Sequence, residues 1–484
     1  MIQRQKRAIF IVCAAFLVLG AALAVLFSTV WKPQDAGDEE EVFLVEPLDM
    51  ADIAEISVRN NEHSWRLYRG EDGELYFEGA EYVLYNQNMI AYLRSCVAYL
   101  TSSGEVKNPE AMEEYGLTED ACLCDFSVTD TKGETYRVLV GEKLVGGDGY
   151  YARLFDSEEV HVLSNSLERC LFGDVTFFLS GQVATALSEN DYYEISRLKI
   201  EHEGKPFVEI EKIPEDEVKE SDLSTHRVVY PAPYEPNTDL LTRLFKSFVT
   251  FVGDDVVEYN LADRAKKDFA RVMQDYGFVS EKSAEMYCKV SYTYHTVETE
   301  LYVSRTDEEK GITYVYSPGF DIIAAFDSNA LAWTQYDLME YTQSEVFARS
   351  IADVKSISVS GDEIDCTFTL THGESAKDLV VRSERGEVRA QDFRQFYTQL
   401  LYVKNVDYAT VPEDYREKES LRLTVTLTDG TAREFVFYDI ETLKSYYTLD
   451  GEGVFVVNRD YVKRLLEGAA KLLSGQKVEA VSYA

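Results

Sequence analysis

The sequence predicts an α+β protein in which one N-terminal transmembrane helix is followed by three degenerate repeats of mainly antiparallel sheet with packed helices. Three observations lead there. Residues 8–30 carry no charge, three segments open on one short pattern near residues 52, 194 and 353, and similar elements follow each opening in the same order.

The first element is the apolar run. Ala8 to Val30 reads AIFIVCAAFLVLGAALAVLFSTV, and at about 1.5 Å per residue it spans a hydrocarbon core of about 30 Å. Arg4, Lys6 and Arg7 precede it, while Asp35, Asp38, Glu39, Glu40 and Glu41 follow. The positive-inside rule then places the N-terminus in the cytoplasm and the rest outside, as a single-pass protein of the cell membrane. Ala22-Leu23-Ala24 would suit a cleaved signal peptide, but Val25-Leu26-Phe27 prolongs the run past it, which favours an uncleaved anchor.

The next elements recur. Asp52-Ile53-Ala54-Glu55-Ile56-Ser57-Val58, Glu194-Ile195-Ser196-Arg197-Leu198-Lys199-Ile200 and Asp353-Val354-Lys355-Ser356-Ile357-Ser358-Val359 each read as a strand with alternating faces. Ser64 to Tyr68, Phe207 to Ile210 and Cys366 to Leu370 supply hairpin partners. Helices follow, with apolar stripes at Ile90, Leu93, Val97 and Leu100, then Leu241, Leu244, Phe248 and Phe251, then Phe393, Phe396 and Leu400. Asn86, Asn237 and Gln391 or Asp392 stand near their starts as caps.

Tyr115-Gly116-Leu117 and Tyr276-Gly277-Phe278 come next, with Tyr415 alone in the third copy. Each copy closes on a tyrosine-rich strand, a second strand and a helix. Ile53 to Tyr115 is 62 positions and Val354 to Tyr415 is 61, but Ile195 to Tyr276 is 81. The nineteen extra residues are expected as a charged, proline-containing surface loop between Glu211 and Pro236.

The expected domains are therefore 1–34 as stub and anchor, 35–50 as an acidic linker, and 51–180 as the first repeat. The second repeat covers 190–340 with an inserted loop at 211–236, the third covers 350–475, and 476–484 is a tail.

Composition narrows the function. The 484 residues carry 48 basic and 86 acidic side chains, a net charge of −38, which repels a phosphate backbone and excludes nucleic-acid binding. Six cysteines lie beyond the anchor, too scattered for a disulfide framework, and read as buried small hydrophobes. The six histidines show no helical zinc spacing, so no metal ligand, cofactor or catalytic residue is assigned. Ser196-Arg197-Leu198-Lys199 fits S-x-x-K, but serine and lysine three apart on a strand face opposite sides. GEKLVGGDG, residues 141–149, lacks a P-loop ending and reads as a hairpin loop. The 33 tyrosines suit sheet and core, though an exposed row of rings would make a contact surface.

The opening Asp-Ile-x-x-Ile, Tyr115-Gly116-Leu117, the strand pair from Val128-Thr129-Asp130 to Val140-Gly141 with its Gly-Glu-Lys ending, and the Tyr151 to Val162 hairpin together carry a likeness. They resemble a bacterial domain-of-unknown-function family often found beside gliding-motility-type ABC transporter components. The resemblance runs from Ile53 to about Leu171 and is degenerate in the other copies. It implies a single-span, extracytoplasmic, non-catalytic accessory protein partnering an ABC transporter permease and auxiliary subunits, and supplies no catalytic residues. The other functions considered are a cell-envelope module binding polysaccharide or peptidoglycan and an extracytoplasmic hydrolase.

Overall fold

A computed structural model describes residues 42–220, 222–279 and 285–480. Within these residues twenty-six strands form three antiparallel sheets of nine, eight and nine strands. This corrects the α+β expectation to a mostly β fold. The helices are few, the longest among them being Arg459–Leu473, because much of the chain between opening strands pairs into short strands.

The expected anchor at 8–30 lies outside the described residues. Among the described residues no helix is long and apolar enough to cross a membrane. The structure therefore lends the single-pass, membrane-located reading no support, and that reading is set aside. Residues 42–50 of the expected linker are structured. Val42–Phe43 pairs with Thr101–Glu105 as an edge of the first sheet.

Eight strands follow one order in all three sheets, to which the first sheet adds Val42–Phe43 at one edge and the third adds Gly386–Val388 at the other. The first runs Val42–Phe43, Thr101–Glu105, His161–Leu163, Tyr150–Leu154, Thr135–Lys143, Cys124–Asp130, Ile53–Asn60, Ser64–Arg69, Leu75–Phe77. The second runs Asp255–Tyr259, Ile322–Asp327, Ile312–Ser317, Val297–Val303, Cys288–Tyr294, Ile195–His202, Val208–Lys212, His226–Tyr230. The third runs Asn405–Tyr408, Phe455–Asn458, Lys444–Leu449, Ala432–Asp439, Glu419–Leu427, Val354–Gly361, Ile364–Thr371, Val380–Ser383, Gly386–Val388. The chain divides into two compact units. One holds Asn88–Asp174 with the residues up to Glu78, and the other holds Gly79–Gln87 with Val175 onward.

Simple alternation does not describe the opening strands. Ile53 and Ile56 are both fully buried, as are Val354 and Ile357, although residues three apart on a regular strand face opposite ways. A bulge resolves this, because the pairing register shifts between Ile53 and Glu55, between Ile195 and Arg197, and between Val354 and Ser356. In each copy a side chain meets the carbonyl of the first residue. Arg69 Nη2 donates to Ile53 at 2.7 Å, His226 Nε2 to Ile195 at 2.8 Å and His372 Nε2 to Val354 at 2.7 Å. A buried carbonyl left unmet would cost about 1–3 kcal/mol.

A second shared device guards an edge. The backbone leading from each helix into the next strand is met by the segment preceding that copy's opening strand. Leu44 N donates to Leu100 O at 2.7 Å, Val183 N to Phe251 O at 3.1 Å and Val346 N to Val403 O at 2.9 Å. Each strap satisfies backbone groups that would otherwise invite another chain.

The helices Gln87–Ala98, Thr238–Ser247 and Ala390–Leu401 bury most of the expected stripes, with Leu93, Val97, Phe396 and Leu400 at 0 % exposure, as is Phe248 just past the end of the second. Asn237 caps its helix through the Leu240 amide at 3.1 Å. Asp392 instead lies inside the first turn of its helix, where it pairs with Arg389 at 2.6 Å. Residues of the expected tail also pack, since Val478 is buried and donates its amide to Asp392.

Each copy also seats one tyrosine edge-on against another. Tyr115 meets Tyr151 at 4.9 Å, Tyr276 meets Tyr314 at 4.9 Å and Tyr415 meets Tyr446 at 5.3 Å. These pairs sit in satellite apolar clusters such as Leu117, Leu139 and Val160. Gly116 and Gly277 take the left-handed conformation, at φ of 65° and 75°, which turns the chain after the first tyrosine. Gly141 lies against the Tyr115 and Gly116 carbonyls. Its register equivalents are Ser304 and Tyr438, and Tyr438 stacks edge-on with Tyr415 at 5.0 Å. A ring contact thus stands in the third copy where the first has a glycine contact, and Arg416, which follows Tyr415, does not take the left-handed conformation.

Candidate functional site

The nineteen extra residues of the second copy fall in two places. Ile53 to Gln87 is 34 positions and Ile195 to Thr238 is 43, so nine precede the helix. Ala98 to Tyr115 is 17 positions and Ser247 to Tyr276 is 29, so twelve follow a helix two residues shorter and include the added helix Lys266–Asp275. The expected loop at 211–236 is also not all loop. It contains the edge strand His226–Tyr230, with His226, Val228 and Tyr234 buried.

Within the second unit this segment borders a cleft of about 790 Å³ that also reaches Thr431 and Arg433 of the third sheet. Its walls carry both signs of charge. Lys219 Nζ donates to Thr431 Oγ1 at 2.9 Å, Arg227 pairs with Glu217 at 3.5 Å, and Arg433 pairs with Asp450 at 2.8 Å. Arg433 also lies 3.7 Å from Glu235, which accepts a hydrogen bond from the buried Arg349. Tyr234 fixes the floor. It packs on Phe455 at 4.8 Å, accepts the Val454 amide at 2.9 Å, and burial pushes its hydroxyl up to about 12.

His226 is the cleft's histidine, yet both its nitrogens are engaged. Nε2 donates to Ile195 O and Nδ1 lies 3.0 Å from Thr225 Oγ1. Burial lowers its pKa, so the ring is neutral and serves the bulge. The cleft offers paired guanidinium, ammonium and carboxylate groups to a polar ligand.

A second polar concavity, of about 410 Å³, lies on the face of the first sheet. Asp125 is its centre. Arg137 donates through Nε and Nη2 at 2.8 and 2.7 Å, and Arg59 Nη2 donates at 2.9 Å. The Arg137 hydrogen bond, aided by Arg59, holds the Asp125 carboxyl below its usual range against the opposing effect of burial. Arg66 pairs with Glu55 at 2.8 Å on the neighbouring strands. Opposite charges at alternate positions of adjacent strands were the sequence signal for this cluster, and it is readable only once the pairing is known.

The remaining sequence candidates are separated. Ser196 donates to Thr293 O at 3.3 Å while Lys199 Nζ meets Glu201 at 2.8 Å, so S-x-x-K forms no pair. Residues 141–143 end the strand Thr135–Lys143, and 144–149 connect it to Tyr150–Leu154 as a hairpin loop. Among the described residues no three His, Cys, Asp or Glu side chains gather as metal ligands. The exposed tyrosines, including Tyr82, Tyr99, Tyr193 and Tyr336, lie far apart in the sequence, and all of these but Tyr193 fall outside the helices and strands.

No protein-family model, curated protein or solved structure matches the chain, and the family resemblance rests on the residues quoted for it.

Proposed function

We propose that this chain is a non-catalytic interaction protein whose repeated sheets carry a docking cleft in the second copy. The observation that supports it most is the repetition itself. One strand order, one bulge and one strap occur three times, and stacked repetition of a unit is a common way to build binding surface. Among the described residues the second copy adds residues beside a cleft, and loops added to a rigid frame are where specificity gathers.

The occupant that suits the walls is a polar polypeptide segment bearing both charge signs, able to exchange partners with Lys219, Arg433 and Glu235. The partner class is a component of an ABC-type transport system, which rests on the family resemblance. Crosslinking in native cells followed by mass spectrometry tests this. Recovery of a permease or ATPase that is lost in a Lys219→Glu, Arg433→Glu double variant is the expected result. Equal recovery by the double variant, or recovery of wall polysaccharide alone, overturns it.

A further inference from the structure

The outer faces of the first two sheets carry one arrangement of charges with the signs reversed. The shared registers match Glu55, Arg59, Arg66, Asp125 and Arg137 of the first copy to Arg197, Glu201, Glu209, Lys289 and Glu300 of the second. All five positions change sign. The partnerships nevertheless correspond. Arg66 pairs with Glu55 at 2.8 Å and Arg197 with Glu209 at 2.5 Å, while Arg137 pairs with Asp125 at 2.7 Å and Lys289 with Glu300 at 2.5 Å. Arg59 stands opposite Asp125, 2.9 Å away, and Glu201 stands opposite Lys289 in the same register position.

The core faces of these strands do not tell the two copies apart. Ile56 and Val58 correspond to Leu198 and Ile200, and Phe126 and Val128 to Val290 and Tyr292, all of them buried. Both opening strands also carry the bulge after their first residue. A strand of one copy set into the other sheet would therefore keep its backbone bonds and its apolar contacts. Charge is what differs. With Ile53–Asn60 paired against Cys288–Tyr294, Arg59 meets Lys289; with Ser64–Arg69 in the place of Val208–Lys212, Arg66 meets Arg197; with Thr135–Lys143 in the place of Val297–Val303, Arg137 meets Lys289. The reciprocal exchanges set Glu201 or Glu300 against Asp125, and Glu209 against Glu55. Each exchange turns attractive cross-strand pairs into like-charge contacts, which destabilise a sheet.

We propose that this reversal keeps strands of the first copy from pairing into the second sheet while the chain folds, so that each repeat closes on its own strands. Misassembly between similar units is a characteristic failure of repeat proteins, and repulsion in the wrong pairing excludes it where attraction alone does not. The third copy marks the extent of the device. It keeps the second copy's polarity at Arg422 and Glu434, 2.9 Å apart, and carries Ser356, Ser360 and Thr367 at the places of Glu55, Arg59 and Arg66. The second and third copies belong to one compact unit and the first copy to the other, so the reversal separates the strands of one unit from those of the other.

Refolding of the full chain from urea, with a reporter of mispairing, tests this. Ser57 and Ser291 stand opposite Ser127 and Lys199 in the native registers. In a chain carrying Ser57→Cys and Ser291→Cys, a short bismaleimide added after refolding links those two peptides where Ile53–Asn60 has paired with Cys288–Tyr294, and mass spectrometry of the digest gives the linked fraction. Glu55→Arg, Arg59→Glu, Arg66→Glu, Asp125→Lys and Arg137→Glu together give the first copy the second copy's pattern while retaining its cross-strand pairs. The linked fraction is then expected to rise at least about fivefold. Reversing the second copy as well, by Arg197→Glu, Glu201→Arg, Glu209→Arg, Lys289→Asp and Glu300→Arg, is expected to return it to the starting level, which mere damage to the first sheet would not do. An unchanged fraction in the first variant, or an equal rise in both, overturns the proposal. A first variant that fails to refold while the second refolds supports it, and failure of both overturns it.

Discussion

Gly141→Ala, set beside Gly104→Ala, separates a glycine the fold requires from one it tolerates. A Cβ on Gly141 would lie inside the contact distance of the Tyr115 carbonyl oxygen and only 2.9 Å from the Gly116 oxygen. Ordinary C···O contacts are about 3.3 Å or longer. The obstacle is backbone on the turn that seats Tyr115 against Tyr151, so no rotamer change relieves it. Overpacking costs about 1–3 kcal/mol, and this site falls at the upper end. Gly104 lies on strand Thr101–Glu105, where an added Cβ would meet nothing within 4 Å and φ is not positive. Alanine there is neutral or stabilising by up to about 1 kcal/mol, through the unfolded chain.

A chain of two units departs from two-state behaviour, so the readout must be local. Hydrogen exchange of peptides covering 112–117 and 135–143, followed through a urea series, gives the opening free energy of this cluster directly. The two variants are expected to differ by roughly 3 to 4 kcal/mol. Equal exchange in both would refute the claim that Tyr115, Gly116 and Gly141 form one packed contact.

Three further outcomes are expected. Leu93→Ala, at a fully buried position of the first helix, should lower the stability of the first unit by about 2–5 kcal/mol in the same exchange measurement. His226 has a lowered folded-state pKa, so its contribution is complete above the unfolded value of about 6.5 and declines as pH falls below it; His226→Gln should flatten stability against pH there, as read by urea titration. Asp125 is also lowered, so its contribution is present above about 3.9 and is lost as pH falls through the folded value. Asp125→Asn should cost about 1.5 kcal/mol at pH 7, the low end for charged hydrogen bonds because Arg59 is 56 % exposed, and should remove that acid-side loss.

The helix stripes were legible in the sequence because Ile90, Leu93 and Val97 recur at helical spacing, and packing follows that spacing directly. The opening motif was visible but its meaning was not. Ile-x-x-Ile looks like a loose strand until pairing shows the bulge that brings both residues to one face. Thr101-Ser102-Ser103-Gly104-Glu105 has no apolar alternation at all, and it becomes a strand because its neighbours His161–Leu163 and Val42–Phe43 supply partners. Such strands moved the fold from α+β to mostly β. Only part of the insertion was placed between Glu211 and Pro236, because proline and charge mark the surface, whereas the added helix Lys266–Asp275 is amphipathic and hides among ordinary helices. The Asp125 cluster and the cleft depend on long-range pairing, which no local pattern encodes.

Docking in the second copy's cleft is tested most directly by hydrogen exchange of the full chain, alone and with the crosslink-identified partner. Slowed exchange confined to residues 213–235 and 431–435, around Lys219, Glu235 and Arg433, is the expected result. Slowed exchange elsewhere, with these segments unchanged, would contradict the assignment of the cleft as the docking site.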